Sequence, residues 1–160
     1  MNIIFILLFI CFICIFIYSL GKEYYRLKHA MSFKESMDLL ELPVVTFYCG
    51  DKKLNFLLDT GSNTSYINSC LLEELPHTKL DSTKQVTTAG GIIGDNSMCT
   101  MEFYYNKKKY LDTFVALDLN EAFNDIKESN GVQLHGLLGS LFFKKYKYIL
   151  DFKELKAYAK

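Results

Sequence analysis

Leu54-Asn55-Phe56-Leu57-Leu58-Asp59-Thr60-Gly61-Ser62 is the stretch on which the fold of this chain turns. Residues 54–58 read as a largely apolar strand, residues 64–67 lead away on the other side, and a carboxylate stands between them. An acid at the end of a buried strand is costly unless it is paired or used chemically. Gly61 supplies backbone freedom for a strained turn, while Thr60 and Ser62 supply short hydroxyls that could hold the carboxylate in place. Asp and Gly also favour ordinary turns, so these residues gain meaning only from the rest of the chain.

Near the other end the chain reads His135-Gly136-Leu137-Leu138-Gly139-Ser140-Leu141-Phe142-Phe143, followed by Tyr148-Ile149-Leu150-Asp151-Phe152. With both segments in view, the sequence resembles the retropepsin-like aspartic proteases, the single-domain family of the retroviral proteases and their bacterial relatives. That family's pattern is apolar-apolar-Asp-Thr-Gly, a glycine-bearing flap, then apolar-apolar-Gly leading into a short helix. Leu57-Leu58-Asp59-Thr60-Gly61 matches the first element and Leu137-Leu138-Gly139 the last. The likeness spans residues 42–160 and leaves the N-terminal segment unexplained.

The resemblance implies a mostly β fold, a closed retropepsin-like barrel equivalent to half of an acid protease, with one or two short helices. It implies Asp59 as the catalytic acid. Thr60, Gly61, Ser62, Leu137, Leu138 and Gly139 become supports of the active loop: Thr60 bonding across a two-fold axis, Ser62 donating to the outer oxygen of Asp59, and Leu137 to Gly139 packing beneath. Ala89, Gly90, Gly91, Ile92 and Ile93 fall at the flap, the hairpin that covers bound peptide. Residues 87–94 are also consistent with a plain glycine-rich turn.

The chain has 160 residues, 18 basic and 18 acidic, and the charged residues all follow position 20. One globular domain fits the remainder. A net charge of zero gives no electrostatic basis for nucleic acid as a partner. Residues 3–20 are almost wholly apolar; at ~1.5 Å per residue they would just cross a hydrocarbon core about 30 Å thick, so residues 1–21 are expected to be a transmembrane anchor. The competing reading is a cleaved signal peptide, but no basic stretch precedes the run and residues 17–21 make a poor cleavage site. Lys22, Arg26 and Lys28 follow it, which predicts a cytoplasmic protease domain.

Residues 22–41 are expected to form a juxtamembrane helix or linker ending at Pro43. Strands are predicted over 44–48, 54–58, 65–67, 98–105, 110–116, 132–138, 148–152 and 156–158. Short helices are predicted over 69–75, capped by Asn68, over 119–126, and over 141–145, capped by Ser140. Lys107-Lys108-Lys109 reads as a solvated hairpin turn. Cys11 and Cys14 lie in the apolar run, and Cys49, Cys70 and Cys99 have no metal-ligand spacing, so reduced and mostly buried thiols are expected.

Hydrolysis by water needs a base to activate the water and an acid to protonate the leaving group. Two carboxylates about 3 Å apart share one proton and perform both tasks, as established for aspartic proteases generally. One Asp-Thr-Gly is therefore half a site. Asp151 follows two apolar residues but lacks Thr-Gly after it, and the folded part is too short for two lobes. A homodimer with Asp59 from each chain is the expected solution, acting on polypeptide. The alternative is a non-catalytic dimerisation or peptide-binding module on the same fold. No cofactor or metal is expected: His29 and His77 have no partners at ligand spacing, and His135 reads as a structural histidine.

Overall fold

The computed structural model describes residues 3–28, 30–88 and 91–160, leaving out the side chains at 3, 4, 6, 7, 19, 22–28, 87, 88, 92 and 93. The chain divides into two compact units, Met1–Ala30 and Met31–Lys160. The first contains one helix, α1 (Ile3–Lys28). Phe5, Phe9, Phe12 and Phe16 on it are exposed. Among the described residues no helix is long and apolar enough to cross a membrane. The span expected over residues 1–21 thus remains a reading of the sequence.

The second unit is mostly β. In chain order it runs α2 (Phe33–Leu40), β1 (Val44–Cys49), β2 (Lys52–Leu58), β3 (Ser65–Asn68), a 3-10 turn (Ser69–Glu74), β4 (Thr78–Thr88), β5 (Gly91–Tyr105), β6 (Lys108–Leu117), α3 (Asn120–Asn130), β7 (Gly136–Leu138), α4 (Ser140–Tyr146), β8 (Tyr148–Asp151) and β9 (Lys156–Ala159). The large sheet has the order β1-β2-β7-β3-β6-β5-β4, and β1 also meets β5 through Tyr48 and Tyr104. Six strands therefore close a ring, and β4 lies outside it. The β8–β9 hairpin forms a separate two-stranded sheet.

Period-2 patterning explains the interior. β2 alternates so that Leu54, Phe56 and Leu58 are buried. Phe47 of β1 meets Phe56, Phe103, Tyr110 and Phe142 edge-on with ring centroids 5.2 to 6.3 Å apart. Such pairs add about 0.5–1.5 kcal/mol each beyond burial, and here they fill a barrel that contains no tryptophan. A second cluster, with Leu40, Val44, Leu119, Phe123, Val132 and Leu134, joins α2 and α3 to the barrel. Phe33 and Ser36 of α2 are buried, and α2 lies within the second compact unit. A capping box between Ser32 and Glu35 starts that helix, and Glu41 in the left-handed region ends it.

Several elements differ from expectation. β4 is a full strand where no element was expected. Only residues 136–138 of the predicted 132–138 strand enter the ladder. Asn68 does not cap the 3-10 turn with its side chain; its amide donates to Asn120 Oδ1 and its oxygen accepts from the Leu119 amide. Gly139, not Ser140, takes the N-cap position of α4. In the hairpin after β5, Asn106 and Lys107 have positive φ and form the tip, while Lys108 already belongs to β6.

Candidate active site

β2 is the inner rail of the site. It pairs antiparallel with β1 and parallel with β7, matching Phe56, Leu57 and Leu58 to Gly136, Leu137 and Leu138. This register brings Asp59 out beside Gly139. The Asp59 amide donates to the Leu138 carbonyl at 3.0 Å, and the Leu58 amide donates to the Pro43 carbonyl at 2.8 Å. The carboxylate is half-buried, and its Oδ1 accepts from the Gly61 amide at 2.9 Å. An acidic side chain held by a backbone donor in a turn of this kind is fixed in direction before any partner arrives.

Gly139 and Gly136 show why the floor uses glycine. A Cβ at 139 would stand 2.5 Å from the Thr64 carbonyl oxygen and 2.8 Å from its nitrogen; one at 136 would stand 2.3 Å from the Tyr66 carbonyl oxygen. Backbone therefore lies against backbone, with no room for a side chain. The Ser140 amide donates to the Ser62 carbonyl at 2.7 Å, tying α4 to the active loop.

The hydroxyls behave less uniformly than expected. Ser62 Oγ does not reach Asp59: it donates to the Thr64 carbonyl at 2.8 Å and accepts from the Thr64 amide at 3.3 Å. The two-residue offset closes a local turn, which a serine makes more readily than a longer bond to a carboxylate already held by Gly61. Thr60 is exposed, and among the described residues its hydroxyl has no partner. Ser65 Oγ, by contrast, is buried, donating to Asp112 Oδ2 at 2.7 Å and accepting from the Gly139 amide at 3.2 Å. Burial raises the pKa of Asp112, against the opposing effect of bonds from Ser65 and the Thr113 amide and of the Lys145 charge.

His135 is structural in its contacts. Its Nδ1 accepts from the Asn55 amide at 2.9 Å, its own amide donates to the Asn55 carbonyl at 2.9 Å, and its carbonyl accepts from the Asn68 amide. Asn55 continues the network, donating to the Gln133 carbonyl and accepting from Thr46 Oγ1. Burial holds the histidine pKa below its ordinary value, and an Nδ1 that accepts a hydrogen bond cannot also carry a proton.

Asp151 ends β8, where its Oδ1 accepts from the Lys153 and Glu154 amides at 3.0 and 2.9 Å. It closes the β8–β9 turn. Among the described residues no group of three or more metal-ligating side chains exists.

β4 and β5 form the hairpin expected to be the flap. The ladder reaches Thr88 and Gly91, and Ala89 and Gly90 lie outside the described residues. Gly91 has φ +123°. Gly94 is the extra residue where the pairing slips between Gln85–Asp95 and Val86–Ile93, and a second slip separates Leu80–Met98 from Thr83–Ser97. Bulges of this kind bend a hairpin. Lys84 of β4 also hydrogen-bonds Thr64 Oγ1, joining this hairpin to the active loop.

Ser65, Asp112, Lys84 and Asn55 were not singled out from the sequence. Asp112 carried the one available signal: an acid inside the strand run Tyr110-Leu111-Asp112-Thr113-Phe114-Val115. Lys84 carried none.

A closed six-stranded barrel with an Asp-Thr-Gly turn resting on a Leu-Leu-Gly floor defines the class of retropepsin-like folds. In sequence, residues 45–142 match the profile described as aspartyl protease, more than half of the chain. The chain belongs to the aspartyl protease family. Among solved structures it is similar to the EIAV protease complexed with the inhibitor HBY-793, at TM-score 0.50 and 17% identity, covering 68% of this chain and 90% of that one. At that identity the likeness speaks to fold alone. A search of curated proteins finds no match.

Proposed function

We propose that the protein is a membrane-anchored aspartic endopeptidase, active as a homodimer in which Asp59 of each chain activates water for peptide-bond hydrolysis. The observation that carries this reading is the setting of Asp59. It leaves a buried strand beside Gly139, fixed by the Leu138 carbonyl and the Gly61 amide. Asp151, the internal candidate for a second dyad acid, is committed to its own turn. The second carboxylate of a dyad then has to come from another copy. Two such acids across a two-fold axis share one proton, so one attacks through water as base while the other donates.

In that dimer the exposed Thr60 is the group free to bond across the axis, and the residues 89–93 close over extended polypeptide. Leu137, Leu138, Gly139 and Gly61 keep the acid in place. The β8–β9 hairpin, a two-stranded sheet with outer edges left open by the large sheet, offers edges for pairing between copies. The anchor reading is supported by residues 3–20, which carry no charge, and by the exposed phenylalanines of α1. Basic residues at 22, 26 and 28 favour a cytoplasmic protease unit. Confinement to one bilayer raises the effective concentration of partner chains.

The test is peptide hydrolysis at mildly acidic and neutral pH by the wild type, by Asp59→Asn and by mixtures of the two. The variant is expected to lose about a thousandfold in kcat, within the range for general acid–base groups. In mixtures, activity should follow the square of the wild-type fraction. A linear dependence would remove the shared site, and full activity of Asp59→Asn would remove the dyad.

A further inference from the structure

One peptide plane links Asp59, which follows β2, to Asp112 inside β6. The Leu138 carbonyl accepts from the Asp59 amide at 3.0 Å, and the Gly139 N–H of that same peptide unit donates to Ser65 Oγ at 3.2 Å. Ser65 Oγ in turn donates to Asp112 Oδ2 at 2.7 Å. Every donor in the series points towards Asp112, and the series ends on a carboxylate. Aligned hydrogen bonds polarise one another, and an anion at the accepting end strengthens each of them. Because the peptide unit is planar, rotation forced at its N–H is felt at its carbonyl.

We propose that Asp112 is a positioning residue: its carboxylate orients the Ser65 hydroxyl, and through the Leu138–Gly139 peptide it sets the backbone on which Asp59 stands. A protonated Asp112 would offer a donor of its own to Ser65 Oγ, which reverses the polarity of the series at its end and loosens the Asp59 amide. Few charges oppose or assist this switch. Lys145 of α4 favours the carboxylate. On β5, Glu102 is bonded to Lys109 and Tyr104. Tyr146 of α4 is committed to the Leu111 backbone, and β3 contributes only Ser65 and Tyr66 beside Thr64, which Lys84 holds from β4. Burial places the titration of Asp112 above the ordinary carboxylate range. The series is intact above that raised value and opens as pH falls through it.

The effect on catalysis rests on the protease reading, but the effect on the loop does not, so the decisive measurement is made without turnover. Full-length Asp59→Asn in detergent removes any titration of residue 59 itself, and 15N spectra are followed against pH. The amides of residues 59 and 139 are expected to titrate together, with a midpoint above that of an ordinary aspartate. The protection factor of the residue 59 amide, its exchange rate corrected for the intrinsic dependence on pH, should fall roughly tenfold on the acid side, the loss of about one hydrogen bond. Adding Asp112→Asn, which keeps an acceptor for Ser65 but cannot titrate, should abolish both changes. Ser65→Ala should abolish the titration at 139 and Ser65→Thr restore it; if Ser65→Ala does not fold, Asp112→Asn alone decides. A titration that persists in Asp112→Asn, or amides that do not respond to pH, would overturn the proposal. In the active chain, Asp112→Asn should remove an acid limb from kcat with KM unchanged. A wild type that cleaves no peptide would end the protease reading while leaving the spectra to judge this one.

Discussion

Two glycine pairs on opposite sides of the active loop behave in opposite ways. At the floor, a Cβ on Gly136 or Gly139 would penetrate neighbouring backbone, whereas in the β4–β5 hairpin a Cβ on Gly91 or Gly94 would meet nothing within 4 Å among the described residues. The same residue type therefore solves different problems. Below Asp59 it permits two chain segments to touch; in the β4–β5 hairpin it permits bends, through a positive φ at Gly91 and a bulge at Gly94. A packed floor fixes the acid, while the β4–β5 hairpin, among the described residues, has room for a side chain at both of its glycines.

The sharpest way to break this contrast is Gly139→Ala or Gly136→Ala. Overpacking into backbone that cannot move aside should cost about 3 kcal/mol or more, or prevent folding, as read by denaturant unfolding. A cost under 1 kcal/mol would mean the floor is looser than its distances imply. Gly91→Ala comes next: with φ +123° the penalty is backbone strain alone, about 1–2 kcal/mol, and it should appear without any change in the packing of residues 136–139.

A third test concerns the floor's pH response. His135 has its pKa lowered by burial, so the folded chain binds fewer protons there than the unfolded one. Its contribution is complete above the unfolded value of about 6.5 and is lost as pH falls from there towards the folded value. Melting temperature should fall over that window in the wild type. In His135→Asn, whose Oδ1 could still accept from the Asn55 amide, this component should flatten. Asp112 carries the reverse sign: with a raised folded pKa, its contribution is greatest in acid and declines as pH rises through that value, so Asp112→Asn should steepen the acid loss. The smallest effect is expected at Gly94→Ala, within about 0.5 kcal/mol of wild type. A large loss there would place a constraint on the flap comparable to that on the floor.

Much of the barrel was legible because its strands alternate. β1, β2, β5 and β6 declare themselves through buried residues spaced two apart, such as Val45-Phe47-Cys49, Leu54-Phe56-Leu58 and Cys99-Met101-Phe103, and Asp59 stands out because it follows such a run. β4 was not legible: Thr78-Lys79-Leu80-Asp81-Ser82-Thr83-Lys84-Gln85 has no apolar face, since an edge strand outside the closed ring has little interior to line. Residues 132–135 looked like strand because Val132 and Leu134 are buried, yet they are held by the Asn55 and His135 bonds instead of a ladder. The choice of partner for Ser62 and the Ser65–Asp112 bond were out of reach for the same reason. Sequence spacing shows which face a residue occupies, while hydroxyl partners are decided by distances of a few ångströms between segments far apart in the chain.

The ring of six strands is completed by one rung, Tyr48 against Tyr104. Mechanical load or mild denaturant would separate the staves there first, since one backbone rung backed by side-chain packing resists less than the longer ladders elsewhere in the ring. The β1–β2 hairpin would swing out like a hinged door, and the aspartate at its far end would leave its socket with it. Loss of the acid's alignment would thus precede loss of the globule, and on gentle heating the Asp59 amide should lose its protection from exchange before any unfolding that circular dichroism detects.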